Sequence, residues 1–374
     1  MSKFRILFLE PQPCIRALKY AKALKYYLRG NVSLGFGYYG YSLNRLYGCG
    51  DEYFDRMVQL NPDDYDSGIR DLIDAFDPAI IHSHNAPNTM TLSAINVAED
   101  IPVIHDVHEV LSVHNSGFNV EDNDETLVKY CEEEKRANEE SDGRIYPTKS
   151  IKEYIQQNYN VDSEKDLVFN NYVSESMMPQ HFKEKLSERE GGVHIVYIGC
   201  VTSVVEGSHY DLRGIFKGIA SHGMHIHIYP SNNIITQSNH SYEKLAETSE
   251  FIHFYGNMNR KRLMKELTQY DFGWVGLNRV ENGEHLRLVL PNKVMEYVGC
   301  GLPVLSFQHE TIQRFVQKHE VGLIFQDLDA LEELLVRSNL SGLRENVLNS
   351  RRGLALERHI PRVVDFYKQI VGGD

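Results

Sequence analysis

Short apolar segments alternate with longer amphipathic segments along the chain. In the first half, the apolar segments have the length and composition of buried strands; they are residues 4–9, 32–36, 79–82, 103–104 and 143–146. The segments between them predict helices at residues 14–29, 68–75, 89–98 and 127–140. Such an alternation of strands and helices is typical of a parallel sheet that carries helices on both faces.

A second series of the same kind follows a polar interruption. Its predicted strands are residues 193–198, 225–229, 252–255, 273–275, 304–307 and 323–325. The interruption, residues 177–192, is charged and ends in two glycines. Because 374 residues exceed the size at which one core stops growing, we predict an α/β protein with two Rossmann-like, doubly wound domains. These are residues 1–176 and 193–357, joined by a linker at 177–192.

Composition narrows the possible functions. A net charge of −13 argues against a general nucleic-acid binder, which needs a basic surface. The five cysteines form no CxxC pair, so reduced thiols in a cytoplasmic protein are expected rather than a disulfide framework. No stretch approaches the ~20 apolar residues of a membrane span, and the first apolar run is interpreted as a strand rather than a signal peptide.

Residues 290–307, LPNKVMEYVGCGLPVLSF, combine a helix start, a carboxylate, a helix stop and a strand. Pro291 suits the first turn of a helix, and Gly301 suits the left-handed position after its end. The free N–H groups near Asn292 and Lys293 would attract phosphate. Glu296, one turn later, would accept hydrogen bonds from vicinal sugar hydroxyls. The segment therefore predicts a nucleotide site; the alternative is a surface helix with solvated charges.

This string resembles the donor-site signature of GT-B glycosyltransferases of the glycogen-synthase-like, retaining group, the group 1 glycosyl transferases. The resemblance implies that Glu296 binds the ribose of a nucleotide-sugar donor. The family usually has a second, earlier Glu that is separated from this one by seven residues, and at that position this chain has Leu288. Glu281 and Glu284 lie in a nearby loop, and either could substitute for the missing sugar contact; Glu284 is taken as the candidate.

The resemblance extends to a glycine turn at residues 196–203, VYIGCVTS. It implies that Gly199 lies under the donor diphosphate. For the basic partner of this turn, Arg213 is the first choice, followed by Lys217 and Lys261. Each of these basic residues, taken alone, also fits a solvated helix face.

The first half carries a weaker resemblance at residues 78–109, where IIHSHN precedes PVIHDVHE. In the family the corresponding strands end in histidines that face the cleft on the acceptor side. The resemblance implies that His108 and Asp106 orient a sugar, with His84 and Asn85 on the acceptor side. The tyrosines of a glycine-rich loop, Tyr38 and Tyr39, are further candidates because sugar rings stack on aromatic side chains.

The histidines near these strand ends also raise a metal hypothesis, since imidazoles from neighbouring strands can converge on zinc. They are His82, His84, His105 and His108. They lack a cysteine partner or an H-E-x-x-H spacing, and the family generally needs no catalytic metal. We therefore expect no metal and no cofactor besides the donor.

The predicted helix at residues 14–29 carries five basic residues and three tyrosines. Such a face could dock on an anionic lipid surface, which would make the cytoplasmic protein peripheral on the inner membrane face. The alternative is an ordinary amphipathic helix with a cationic outer face.

Together these patterns predict a retaining glycosyltransferase that moves a hexose-type unit from a nucleoside-diphosphate sugar to a glycan or glycolipid. The resemblance implies that the two domains face a cleft and that the last helix, within residues 358–374, crosses back to the first domain. Two alternatives stay open at this stage: a sugar-nucleotide epimerase of the same architecture, and a degenerate member that binds a glycan or a partner enzyme without turnover.

Overall fold

The computed structural model describes residues 3–113, 124–203, 208, 210–231, 236–256, 258–278 and 283–372. The chain divides into two compact units. The first contains Met1–Asn171 and Leu356–Asp374, and the second contains Tyr172–Ala355. Residues 177–192 belong to the second unit and include a short helix, Leu186–Glu190.

The first unit is built on a parallel sheet of seven strands in the order β3-β2-β1-β4-β5-β6-β7. The strands are β1 Phe4–Glu10, β2 Val32–Tyr38, β3 Arg56–Gln59, β4 Ile80–His84, β5 Val103–Asp106, β6 Gly143–Tyr146 and β7 Asp166–Val168. The order reverses between β1 and β4, which is the switch point of a doubly wound sheet. The carboxyl ends of β1, β4 and β5 therefore lie side by side.

Helices connect most of these strands, and a final helix completes the unit. They are Ile15–Tyr27, Leu43–Tyr47, Tyr65–Phe76, Thr89–Val97, Asp124–Glu140, Lys149–Asn158 and the final helix Leu356–Val371. As predicted, the final helix belongs to the first unit, and it packs on the helix Ile15–Tyr27.

The second unit repeats the plan with a six-stranded parallel sheet in the order β10-β9-β8-β11-β12-β13. Its strands are β8 His194–Gly199, β9 His225–Pro230, β10 Ile252–Phe254, β11 Phe272–Trp274, β12 Val304–Phe307 and β13 Gly322–Phe325. Its helices are Leu186–Glu190, Arg213–Ser221, Thr236–Ala246, Arg260–Leu267, Glu284–Leu288, Asn292–Gly299, Glu310–His319, Leu328–Arg337 and Leu340–Ser350. The predicted α/β class and two doubly wound sheets are confirmed.

Two strands, β3 and β7, were absent from the sequence prediction. Both are short edge strands. The residues of β3 are exposed or half-buried, so its side chains do not show the apolar run of an interior strand. In β7, Asp166 makes an ion pair with the buried guanidinium of Arg144, which only the tertiary fold could indicate.

In the described part of the chain, no helix is long and apolar enough to cross a bilayer. Each sheet instead buries its own apolar core. Leu7, Leu9 and Ile81 contribute to the core of the first unit, and Tyr197, Ile226 and Trp274 to that of the second.

Candidate functional site

Three neighbouring strands of the first unit end in titratable residues. Glu10, His84 and Asp106 are the last residues of β1, β4 and β5, and all three are buried. The parallel register places His84 opposite Asp106. The strand ends thus concentrate polar groups where an α/β sheet usually binds its ligand.

Asp106 lies at the centre of this group and forms an ion pair with Arg16. The Arg16 Nε lies 3.1 Å and 2.9 Å from the two carboxylate oxygens. Burial disfavours the carboxylate, but the Arg16 guanidinium and a hydrogen bond from His82 outweigh it and hold the pKa of Asp106 well below its usual range. Asp106 is therefore a permanent anion with committed partners, suited to orienting groups rather than to exchanging a proton.

His82 connects this anion to the final helix. Its Nε2 lies 3.1 Å from an Asp106 oxygen, and its Nδ1 lies 2.5 Å from the Tyr367 hydroxyl. Tyr367 was not among the predicted residues, because only the return of the final helix brings it here. The pair His82–Tyr367 fixes the helix against the strand ends.

His84 and His108 form a second pair beside Asp106. His84 Nδ1 lies 2.7 Å from His108 Nε2, and each ring is 3.9 Å from an Asp106 oxygen. Burial lowers the pKa of both rings, that of His108 to about 4. Two neutral imidazoles can share one proton in this way. The side chain of His108 is 19% exposed while that of His84 is fully buried, so His108 is the member of the pair that a ligand can reach.

Asn85 holds the turn that carries His108. Its Oδ1 accepts a hydrogen bond from the backbone N–H of His108 at 2.7 Å, and its Nδ2 donates to the carbonyl of Glu109 at 2.8 Å. Both polar atoms of the amide are therefore engaged by the backbone of the turn. Its buried position makes it a positioning residue for His108.

Two groups of three residues in the described part bring metal-ligand atoms within 4.8 Å of one another: Glu10 with His84 and His108, and His82 with His84 and Asp106. Burial raises the pKa of Glu10 to about 8. His84 already bonds to His108, Asp106 bonds to Arg16 and His82, and Glu10 accepts a hydrogen bond from the N–H of Cys14. Two nitrogens on one zinc stand about 3.3 Å apart at normal bond lengths, so a cation would have to separate His84 from His108.

The predicted acceptor tyrosines lie at the end of β2. Tyr38 is its last residue, and Tyr39 follows with 47% of its surface exposed. The backbone of Tyr39 is fixed, since its N–H donates to Pro11 and its carbonyl accepts from Gln59. A rigid backbone with an exposed ring suits stacking against a sugar.

In the second unit, the helix Asn292–Gly299 is fixed to two strands by Tyr297. The Tyr297 hydroxyl accepts a hydrogen bond from the N–H of Ile198 at 2.9 Å, and its ring packs directly on Gly273, where no side chain would fit. Pro291 precedes the helix, and Gly301 follows with φ of 75°. These features, which the sequence predicted, fix the positions of Lys293 and Glu296.

Lys293 projects under the glycine turn at the end of β8. Its Nζ lies 3.9 Å from the Tyr197 ring centre and only 3.2 Å from where a Cβ at Gly199 would be. Gly199 has φ of 127°, a conformation that other residues rarely adopt. Burial lowers the pKa of Lys293 to about 7. A weakly hydrated cation beside a glycine turn is poised to gain from an anionic ligand.

Glu296 forms an ion pair with Arg260, the first residue of the helix Arg260–Leu267. Its side chain is only 9% exposed, whereas that of Arg260 is 40% exposed. The sequence interpretation chose Lys261 from the same basic run and missed Arg260. Lys261 is exposed. Consecutive residues of a helix point in different directions, and the sequence does not show which of the two faces Glu296.

The remaining predicted donor and catalytic residues lie differently. Arg213 makes a two-nitrogen ion pair with Asp211, at 2.7 Å and 2.8 Å, and Lys217 is exposed. Glu284 is exposed at the start of the helix Glu284–Leu288. Leu288, where the family usually has a Glu, is buried with 6% exposure, and Glu281 lies outside the described residues.

Comparison with known proteins gives matches in both units. The family described as Glycosyltransferase Family 4 matches residues 52–175, and the family described as Glucosyltransferase 3-like, C-terminal domain, matches residues 220–354. No curated protein matches the chain significantly.

Solved structures share the fold at low sequence identity. Sucrose-phosphate synthase from Thermosynechococcus elongatus is 13% identical with a TM-score of 0.71, covering 99% of this chain and 100% of its own. Anabaena HepE, in complex with UDP-glucose, is 12% identical with a TM-score of 0.66, covering 98% of both chains. UDP-GlcNAc 2-epimerase from Neisseria meningitidis is 12% identical with a TM-score of 0.61, covering 98% of this chain and 100% of its own.

Proposed function

We propose that this chain, a group 1 glycosyltransferase of the GT-B fold, transfers a hexose unit from a UDP-sugar to a hydroxyl of a glycan or glycolipid. The transfer would retain the anomeric configuration. Uridine is proposed as the base because HepE was solved with UDP-glucose. Such a reaction would serve the synthesis of cell-surface polysaccharides or glycoconjugates.

One observation carries the proposal: Gly199, Lys293 and Glu296 come together in the second unit. Gly199 has no side chain, and the ammonium of Lys293 lies beside the turn, 3.2 Å from where a Cβ would be. The carboxylate of Glu296 lies one helical turn from Lys293 and acts on its charge. A phosphate group and a ribose diol need this combination of a cation, an open backbone and an acceptor.

The proposed chemistry is positional and electrostatic. Lys293 and the start of the helix at Asn292 would stabilise the charge that develops on the departing diphosphate. The acceptor hydroxyl would attack from the side that the diphosphate leaves, and a phosphate oxygen would take its proton. We assign the stabilisation to these protein groups rather than to a metal ion, and no carboxylate is assigned as a nucleophile.

The first unit would bind the acceptor. His108, the exposed member of its histidine pair, would hydrogen-bond a sugar hydroxyl, with Asp106 and His84 fixing its orientation. Asn85 holds the turn, and Tyr38 and Tyr39 would contact the sugar chain. The exposed Tyr26 and Tyr27 at the end of the basic helix Ile15–Tyr27 support peripheral contact with an anionic lipid surface on the cytoplasmic side.

The substitution Glu296→Ala tests the donor site. Removal of a buried acceptor should weaken UDP binding by about 10- to 100-fold, the equivalent of a charged hydrogen bond, measured by isothermal titration calorimetry. Glu247→Ala removes an exposed carboxylate of the second unit that has no proposed role in the donor site, and it serves as the matched control. Unchanged UDP affinity in a folded Glu296→Ala variant would refute the ribose assignment.

A sugar-nucleotide epimerase is the second candidate. The similarity to a UDP-GlcNAc 2-epimerase shows the fold alone, but one feature of this chain favours acid–base chemistry: burial raises the pKa of Glu10 to about 8, so this carboxyl is protonated at neutral pH. Incubation with a UDP-sugar alone separates the candidates. An epimerase changes the sugar without an acceptor, whereas a transferase requires one. Nucleotide binding without any turnover would indicate the degenerate, binding-only member.

A further inference from the structure

Arg260 contacts the predicted donor residue Glu296, but the sequence prediction did not include it. It starts the helix Arg260–Leu267 and reaches Glu296 on another helix of the same unit. We infer that Arg260 is a nucleotide-binding residue that orients Glu296 toward the ribose and donates hydrogen bonds to the diphosphate. This inference rests on the proposed function and adds a residue to its donor site.

The ion pair between Arg260 and Glu296 leaves hydrogen-bonding groups unused on both side chains. One guanidinium nitrogen, Nη2, bonds to one carboxylate oxygen, Oε1. Within the described residues, no hydrogen bond reaches the second oxygen of Glu296 or leaves the other nitrogens of Arg260. A carboxylate has about four acceptor positions and a guanidinium has five N–H donors. Glu296 can therefore hold Arg260 and a ribose diol at the same time.

The side chain of Glu296 is buried and that of Arg260 is half-exposed. This difference suits a binding site in which the ligand covers the arginine. The carboxylate is 9% exposed and is held in place, whereas the guanidinium is 40% exposed. Ion pairs with an exposed partner contribute little to folding stability, so stability alone does not account for an arginine there. A ligand that covers Arg260 would meet a preformed carboxylate together with free N–H donors.

Two other cations considered for the donor site, Arg213 and Lys293, are less available than Arg260. Arg213 is neutralised by its two-nitrogen pair with Asp211. Lys293 is buried and only partly protonated at neutral pH, because burial lowers its pKa to about 7. Arg260 places a guanidinium next to Glu296, and the paired N–H donors of a guanidinium can match two oxygens of a phosphate.

Calorimetric titration with UDP and with uridine tests the inference on the full chain. Arg260→Met should weaken UDP binding by about tenfold or more and uridine binding by clearly less, because uridine has no phosphate. Arg260→Lys should recover part of the UDP affinity. Arg262→Met, which removes an exposed arginine of the same helix, should bind UDP like the unmodified protein. Thermal unfolding confirms that each variant is folded.

The outcomes separate this inference from the proposed function. If the unmodified protein binds UDP and folded Arg260→Met binds it equally well or more tightly, Arg260 is not a nucleotide-binding residue, while the donor site stands. Equal losses for UDP and uridine would reject the contact with the diphosphate. If the unmodified protein binds neither compound, both the donor site and the role of Arg260 are rejected. A double substitution, Arg260→Met with Glu296→Gln, should lose less affinity than the product of the single losses.

Discussion

The two units hold their candidate site residues in contrasting environments. In the first unit, Asp106, Arg16 and His82 are buried and bonded to one another. In the second unit, Lys293 lies against a ring and a glycine turn, and Glu296 has one ion pair with a half-exposed arginine. The first arrangement is buried and suits a rigid support, although Arg16 Nη2 and His84 Nε2 have no hydrogen-bond partner within the described residues. The second is more open, with the Arg260 side chain 40% exposed, as a ligand site requires.

Histidines show the same contrast. In the first unit, His82, His84 and His108 surround the carboxylate of Asp106, which favours their charged forms against the effect of burial. In the second unit, four histidines form a stack across neighbouring strands with ring centres as close as 4.4 Å. They are His194, His225, His227 and His253. His227 bonds to His194 and to Tyr255 rather than to a carboxylate. Burial lowers the pKa of His84, His108 and His227 alike, but Asp106 opposes this effect for the first two, whereas neighbouring histidines add to it for His227.

The largest effect is expected from removing the arginine that pairs with the buried carboxylate of Asp106. Arg16→Met leaves the Asp106 carboxylate buried without its cation, and breaking such a pair costs about 3–5 kcal/mol. We expect faster hydrogen exchange in peptides of β4 and β5, measured by mass spectrometry, with the exchange of β8 and β9 unchanged. Arg136→Met is the control, because Arg136 pairs with Glu140 on an exposed helix face. Equal exchange in the Arg16 and Arg136 variants would contradict the contrast between the units.

Acidification is expected to have an effect of intermediate size on the stability of the second unit. Burial lowers the pKa of His227 to about 2, below the ~6.5 of an unfolded histidine. Between these values the unfolded state binds the extra proton, so the stability that His227 contributes is present above pH 6.5 and lost as pH falls. The loss is about 1.4 kcal/mol per pH unit.

His227→Gln should therefore flatten the pH dependence of unfolding by about that slope. Trp274, the only tryptophan of the chain, is buried in β11 of the second unit, so its fluorescence during urea unfolding at pH 5.0, 5.5 and 6.5 reports this unit. The exposed His240 provides the control His240→Gln. A slope that is equal in the two variants would show that the stack does not carry the acid sensitivity.

An effect no larger than this one, per pH unit, is expected on the proposed donor binding. Burial lowers the pKa of Lys293 to about 7, so below this pH the free protein already carries the ammonium that the diphosphate needs. Above it, binding must first take up a proton. We expect UDP affinity to fall by up to about tenfold per pH unit between pH 7 and 8.5. Calorimetry across this range checks it, and Lys293→Met should remove the dependence together with part of the affinity.

Local patterns carried much of the fold. The strands β6 and β12 lie where their apolar residues predicted, and Pro291 and Gly301 bound the donor-site helix as predicted. Apolar runs, helix breakers and a left-handed glycine act through neighbouring residues, so the sequence displays them. The edge strands β3 and β7 escaped prediction because polar or ion-paired side chains interrupt the apolar pattern.

The class of fold, the two doubly wound sheets and the segment around Lys293 and Glu296 could be predicted from the amino-acid sequence, because each depends on local periodicity or on a contiguous motif. Which polar side chains meet became visible only in the folded chain. Tyr367 contacts His82, and Arg260 rather than Lys261 reaches Glu296, because packing of the helices brings together residues that are distant in sequence. Arg213 and Asp211 are only two residues apart, but the sequence does not show which way either side chain points.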